Sequence, residues 1–155
     1  MNNQFSQVNE SIPQTKKILV FGDSLIQTLH FEDSFEFLYH VESYPGILAC
    51  DSQEQLRISL NEEAYDIVVL CLGSNDLGHG KLPQEVVDSL LKLHLLINTK
   101  IIAMHLHSKF ELFNSLYGNQ SADKVEFCAF FYEFHLSEQG CQHLGEYLQD
   151  FIENE

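Results

Sequence analysis

The sequence predicts an α/β fold, namely a single three-layer α/β/α domain with a five-stranded parallel sheet in the order 2-1-3-4-5. Short apolar runs alternate with amphipathic stretches, which is the form repeated βα units take. The run 65–72 (YDIVVLCL) is continuously apolar and β-branched, as a central strand covered on both faces requires. A length of 155 residues fits one domain and leaves no room for a second.

Taken in order, residues 1–15 (MNNQFSQVNESIPQT) form a polar leader, and the domain occupies 16–155. The first strand is expected at 17–21 (KILVF), followed by the tight turn Gly22-Asp23-Ser24 and then a helix over LIQTLHFEDSFEFL. The second, weaker strand is expected around 39–43, ending at Tyr44-Pro45-Gly46 before a stretch carrying Leu48, Leu56 and Leu60. The third strand ends in Gly73-Ser74-Asn75-Asp76. Pro83 opens a helix in which Val86, Val87, Leu90, Leu91, His94 and Ile97 keep helical spacing. A fourth strand is expected at 100–105 and a fifth at 124–130. The last helix is expected to begin near Ser137, a good N-cap, with Cys141, Leu144, Leu148, Phe151 and Ile152 on one face.

Composition excludes several functions. Hydrophobic residues make up 45% of the chain, enough for a core without disulfides or metal. The formal net charge of -15 disfavours nucleic acid and anionic lipid surfaces as partners. Cys50, Cys71, Cys128 and Cys141 show no CxxC spacing and read as free thiols of a reducing compartment. The start of the chain lacks the basic and apolar regions of a signal peptide, and no apolar run approaches the ~20 residues of a membrane span. A cytoplasmic protein is expected. P-loop, GxGxxG and GxSxG patterns are absent. His105 and His107 stand two apart without a third ligand suggested by spacing, so neither metal nor cofactor is expected.

In an open parallel sheet, ligands gather beyond the carboxyl ends of the strands. Ser24, Asn75 and His135 are each predicted at such a place. Singly, each has a structural explanation: an N-capping serine, a good turn sequence, a surface histidine. Together at one sheet edge, a serine, an amide donor and a histidine form the parts for acyl transfer.

It is on these residues that the chain resembles the SGNH (GDSL-type) hydrolase family. VFGDSL at 20–25 is similar to its nucleophile block, Gly46 in YPGIL to its glycine block, GSND at 73–76 to its GxND block, and HLSEQG at 135–140 to the block of the catalytic histidine. The resemblance runs from about residue 17 through the last helix and implies the family's flavodoxin-like SGNH fold. It also implies a serine esterase, with Ser24 as nucleophile and His135 as base. The backbone N–H groups of Ser24 and Gly46 and the Asn75 amide would then hold the oxyanion. Asp23 and Asp76 are read as fixing their turns.

The chain departs from the family pattern at Tyr132, where the triad aspartate is usual. In an extended segment Glu133 would lie on the same side as His135 and take the aspartate's place. In a turned one, a backbone carbonyl would hold the imidazole. The substrate expected is a small acyl ester, acetyl or another short acyl group, with a thioester or lysophospholipid left open. The alternative is a catalytically impaired SGNH-fold binding or scaffold protein with a protein partner, motivated by Tyr132.

Overall fold

The computed structural model describes residues 14–104, 131–132, 135–136 and 138–154. Strand β1 (Lys16–Gly22) lies between β2 (Phe37–Ser43) and β3 (Ile67–Cys71), and β4 (Lys100–Met104) completes a sheet of order β2-β1-β3-β4. All three pairings are parallel. This is the predicted α/β architecture and strand order; the fifth strand expected at 124–130 falls outside the described residues. A two-residue antiparallel pair, β5 (Phe131–Tyr132) with β6 (His135–Leu136), sets Tyr132 opposite His135.

Both faces of the sheet are apolar, and strand alternation sorts the side chains between them. Ile18, Val20, Ile67, Val69 and Cys71 face one side, where they pack with Leu144, Leu148 and Ile152 of the last helix, α4 (Glu138–Glu153). Leu19, Phe21, Val68 and Leu70 face the other side, packing against Leu56 of α1 (Gln53–Glu62) and against Leu77 of the short helix α2 (Ser74–Gly78). The same face also takes Val86, Leu90 and Leu93 of α3 (Pro83–His94). No helix among the described residues is long and apolar enough to cross a membrane.

Three expectations need correction. The helix foreseen after Ser24 is a single 3-10 turn over Ser24–Ile26. Beyond it, Asp33 and Ser34 spend their side chains on the edge of β2: Asp33 Oδ1 accepts the Tyr39 N–H (2.9 Å) and Ser34 Oγ the Phe37 N–H (3.1 Å). Short polar side chains that bond nearby backbone compete with helix, and here they win. In α3 the buried stripe is Val86, Leu90 and Leu93, continued by Ile97, whereas Leu91 is 52% exposed. In α4, Phe151 leaves the buried face for the rim, where it stacks with Tyr147 at 6.5 Å between ring centroids.

Pro83 occupies the first turn of α3, and the Glu85 carboxylate accepts the Leu82 N–H (2.8 Å), so this helix start is closed as its sequence foretells.

Gly22 ends β1 where no other residue fits. A Cβ there would lie 2.3 Å from the Cys71 carbonyl oxygen of β3. Gly22→Ala is therefore expected to destabilise the fold by about 2–3 kcal/mol, since overpacking against backbone forces the strands apart. Urea unfolding of the variant measures this, and an unchanged midpoint would contradict the close approach.

Candidate functional site

The carboxyl ends of β1, β2 and β3 are joined through one residue, Asp23. Its N–H donates to the Cys71 carbonyl (3.1 Å), and its own carbonyl accepts the Ser43 hydroxyl (2.9 Å). Its carboxylate, with no exposed surface, accepts the Leu25 N–H on Oδ1 (2.9 Å) and the Ser74 hydroxyl on Oδ2 (2.6 Å). The turn carrying Ser24 is thus capped by Asp23 and tied to the neighbouring strand ends. Ser24 itself is partly exposed beside two buried neighbours, Leu25 and Ile26. The β6 strand of His135 and Leu136 comes within 8 Å of this turn, Cα to Cα.

Beyond β2 the chain turns at Tyr44-Pro45-Gly46-Ile47. The Ile47 N–H donates to the Tyr44 carbonyl (3.1 Å), and Gly46 has φ of +80°. Proline second and a positive-φ glycine third is the pattern of a type II turn. A Cβ at Gly46 would meet nothing within 4 Å, so the backbone angle alone selects glycine there.

Beyond β3, Gly73 has φ of +106° and launches α2. Asn75 Nδ2 donates to the Ile47 carbonyl (3.1 Å), next to Gly46. Asp76, also without exposed surface, accepts the Ala49 N–H on Oδ2 (2.8 Å) and the Lys81 ammonium on Oδ1 (3.1 Å). Lys81 donates further to Cys50 Sγ (2.8 Å). Its bonds to Cys50 first and to Asp76 next hold its proton more tightly than a free lysine would.

Three of the sequence-predicted residues are thereby brought into one frame. Asn75 bonds the loop of Gly46, and that loop and the Ser24 turn are both anchored on the end of β2. The strand of His135 and Leu136 lies near the Ser24 turn by its backbone. Glu133, His105, His107 and Cys128 lie outside the described residues. Tyr132 and His135 stand opposite each other across an antiparallel pair. Asp23 and Asp76 act as turn braces, as foreseen. Ser74 and Lys81 were missed: nothing in the spacing of GSND or of HGK marks them as partners of buried carboxylates.

Of the two free cysteines described, Cys50 is exposed and Cys71 is buried. Burial, reinforced by the Asp23 charge, pushes the Cys71 thiol well above its ordinary value, which makes it a poor nucleophile beside Ser24.

No family model matches the sequence. No curated protein matches it either. Solved structures do match by shape. A lipase/acylhydrolase from Enterococcus faecalis superposes with a TM-score of 0.67 at 17% identity, covering 90% of this chain and 96% of the other. A lipolytic protein of the G-D-S-L family from Veillonella parvula gives 0.65 at 15% identity, over 86% and 96% of the two chains. The psychrotrophic esterase EstA from Pseudoalteromonas gives 0.65 at 15%, over 90% and 97%. The likeness is one of fold along nearly the whole length of each protein.

Because Asp23 satisfies one buried and one partly buried donor, Asp23→Ala is expected to cost about 2–4 kcal/mol, the penalty of stranding both groups. Ser74→Ala removes one donor and should cost less than half as much. Chemical denaturation of the pair of variants orders them, and equal losses would deny Asp23 its bridging role.

Proposed function

We propose that this chain, which has the fold of the SGNH (GDSL-type) hydrolases, is a serine ester hydrolase acting on small, acetyl-like acyl esters without metal or organic cofactor. The observation that carries the reading is the convergence of the Ser24 turn, the Gly46 turn and the Asn75 amide at the carboxyl edge of a parallel sheet, with the His135 strand beside them. This is where open α/β sheets bind ligands.

In the proposed mechanism Ser24 Oγ attacks the acyl carbonyl while His135 takes its proton. The tetrahedral oxyanion is held by the N–H groups of Ser24 and Gly46 and by the Asn75 amide. A primary amide has two donor hydrogens. One of Asn75's serves the Ile47 carbonyl, which holds the side chain so that the other can serve the substrate. Such donors are neutral and fixed beforehand, so they stabilise developing charge with little reorganisation. Collapse of the intermediate expels the alcohol with the proton from His135, and water then repeats the sequence on the acyl-serine.

His135 needs an orienting acceptor, and Tyr132 supplies no carboxylate. That acceptor is either Glu133 or a backbone carbonyl, and the Glu133→Gln variant below decides between them. A second reading, an SGNH-fold binding protein whose chemistry has lapsed, draws on the same Tyr132.

Labelling with a fluorophosphonate and hydrolysis of a short p-nitrophenyl ester test the proposal; the Pseudoalteromonas neighbour was itself solved inhibited by monoethylphosphonate. Ser24→Ala and His135→Ala should each lower turnover by at least ~10³-fold. A wild type that neither labels nor turns over leaves the binding-protein reading in place. Glu133→Gln should stay within about 3-fold of wild type if a carbonyl orients the imidazole, whereas a loss approaching the ~10⁴ seen for a missing triad carboxylate assigns the role to Glu133. Tyr132→Asp should raise turnover.

A further inference from the structure

We infer that Lys81 is a positioning residue of this site: through the buried carboxylate of Asp76 it fixes the two arms, Asn75 and the Gly46 loop, that would hold the oxyanion. The inference rests on the ester-hydrolase reading for its catalytic consequence, and on the geometry alone for the positioning.

The geometry starts with the end of α2. The Gly80 N–H donates to the Leu77 carbonyl (3.0 Å) and the Lys81 N–H to the Asp76 carbonyl (3.0 Å), with Gly80 at φ of +83°. These paired bonds around a left-handed glycine form a Schellman-type closure, which folds the chain back over the helix it ends. Lys81 is thereby returned to Asp76, five positions earlier, and its ammonium reaches Asp76 Oδ1 at 3.1 Å. The lysine side chain is 28% exposed and the aspartate fully buried. Cys50 Sγ, at 2.8 Å, gives the ammonium a second fixed contact on the loop following Gly46.

Asp76 in turn spans the two arms. It directly follows Asn75, and its other oxygen holds the Ala49 N–H, three residues beyond Gly46. Together with the bond from Asn75 Nδ2 to the Ile47 carbonyl, it clamps the loop to α2 at two points. Oδ1 of this carboxylate takes its hydrogen bond from Lys81, so without the ammonium a buried charge would be half-satisfied and would draw in water or shift, and the clamp would loosen. It would also set a full negative charge next to the amide that must stabilise an oxyanion. Lys81 removes both faults by making the pair neutral.

The test compares Lys81→Met, Lys81→Arg and Lys81→Met/Asp76→Asn, reading kcat and KM on a short p-nitrophenyl ester and the ¹H–¹⁵N resonance of the Asn75 side-chain amide, assigned by its loss in Asn75→Ala. Lys81→Met is expected to lower kcat by about 10-fold, less than removal of an oxyanion donor itself, with KM nearly unchanged. Its Asn75 resonance should shift. Lys81→Arg should restore both. The double variant, which removes the unpaired charge, should exceed Lys81→Met in kcat, where independent effects would make it worse. Wild-type kcat in Lys81→Met, or an unshifted Asn75 resonance, overturns the inference. Should the wild type prove inert toward ester and fluorophosphonate alike, the hydrolase reading falls separately, and the Asn75 resonance still decides whether Lys81 positions it. If Lys81→Met fails to fold, Lys81→Gln carries the same resonance measurement: a shifted Asn75 signal upholds the positioning role and an unshifted one refutes it.

Discussion

Asp23 is a carboxylate with no exposed surface, set where three strand ends meet, and the remainder of the edge is arranged around its needs. A buried charge is tolerated only when it is fully hydrogen-bonded, and the donors here come from the Leu25 backbone and the Ser74 hydroxyl. Just before Asp23, Gly22 pairs with Cys71 of β3 so closely that a Cβ would strike the Cys71 carbonyl, which makes glycine obligatory there. The Ser43 hydroxyl bonds the Asp23 carbonyl and the Tyr44 N–H bonds that of Gly22, so β2 is drawn to the same point. Through its carboxylate, N–H and carbonyl, Asp23 thus ties together segments that are distant in sequence, and a tied edge is what a preorganised site requires.

Much of this was legible in the sequence because it rests on patterns of one or two kinds. A continuous β-branched run such as 67–71 has no use on a surface, and it is the fully buried strand it was taken for. The glycines of GDS, YPGI and GSND mark reversals, and two of them do carry positive φ. The ends of the first four strands came within about two residues of their expected places. Faces of helices were less secure. Leu91 and Phe151 fit the helical period, yet α3 and α4 each bury a narrower stripe than their apolar content allows, and the surplus lies at the rim.

What escaped sequence reading depends on partners far along the chain. Residues 25–29 have the spacing of a helix for one turn, but the fate of 30–36 was decided by the free edge of β2, whose backbone donors took up Asp33 and Ser34. The antiparallel meeting of Tyr132 and His135 is likewise a matter of register, invisible in a run of aromatic residues. Lys81 is the plainest case. It follows a glycine at a helix end, a position that reads as solvated, and only the Schellman-type closure brings it back over Asp76.

The same pair shows how a chain with 23 acidic and 8 basic residues can present a site suited to negative charge. The overall field opposes any anion that approaches, and no surface lysine could offset it across the distance over which salt screens. Two buried acids just beyond the strand ends, Asp23 and Asp76, flank the candidate site, and each is dealt with locally. Asp23 is satisfied by N–H and O–H donors, and Asp76 by a backbone N–H and a cation. In the proposed site, what would face a substrate is a set of neutral dipoles, the Asn75 amide and the turns of Ser24 and Gly46. Such a set favours a charge that develops only during reaction over one carried in from solution. Within the proposed chemistry this places neutral esters ahead of anionic ones, because the same global field that repels an anionic headgroup leaves an uncharged acyl ester free to enter.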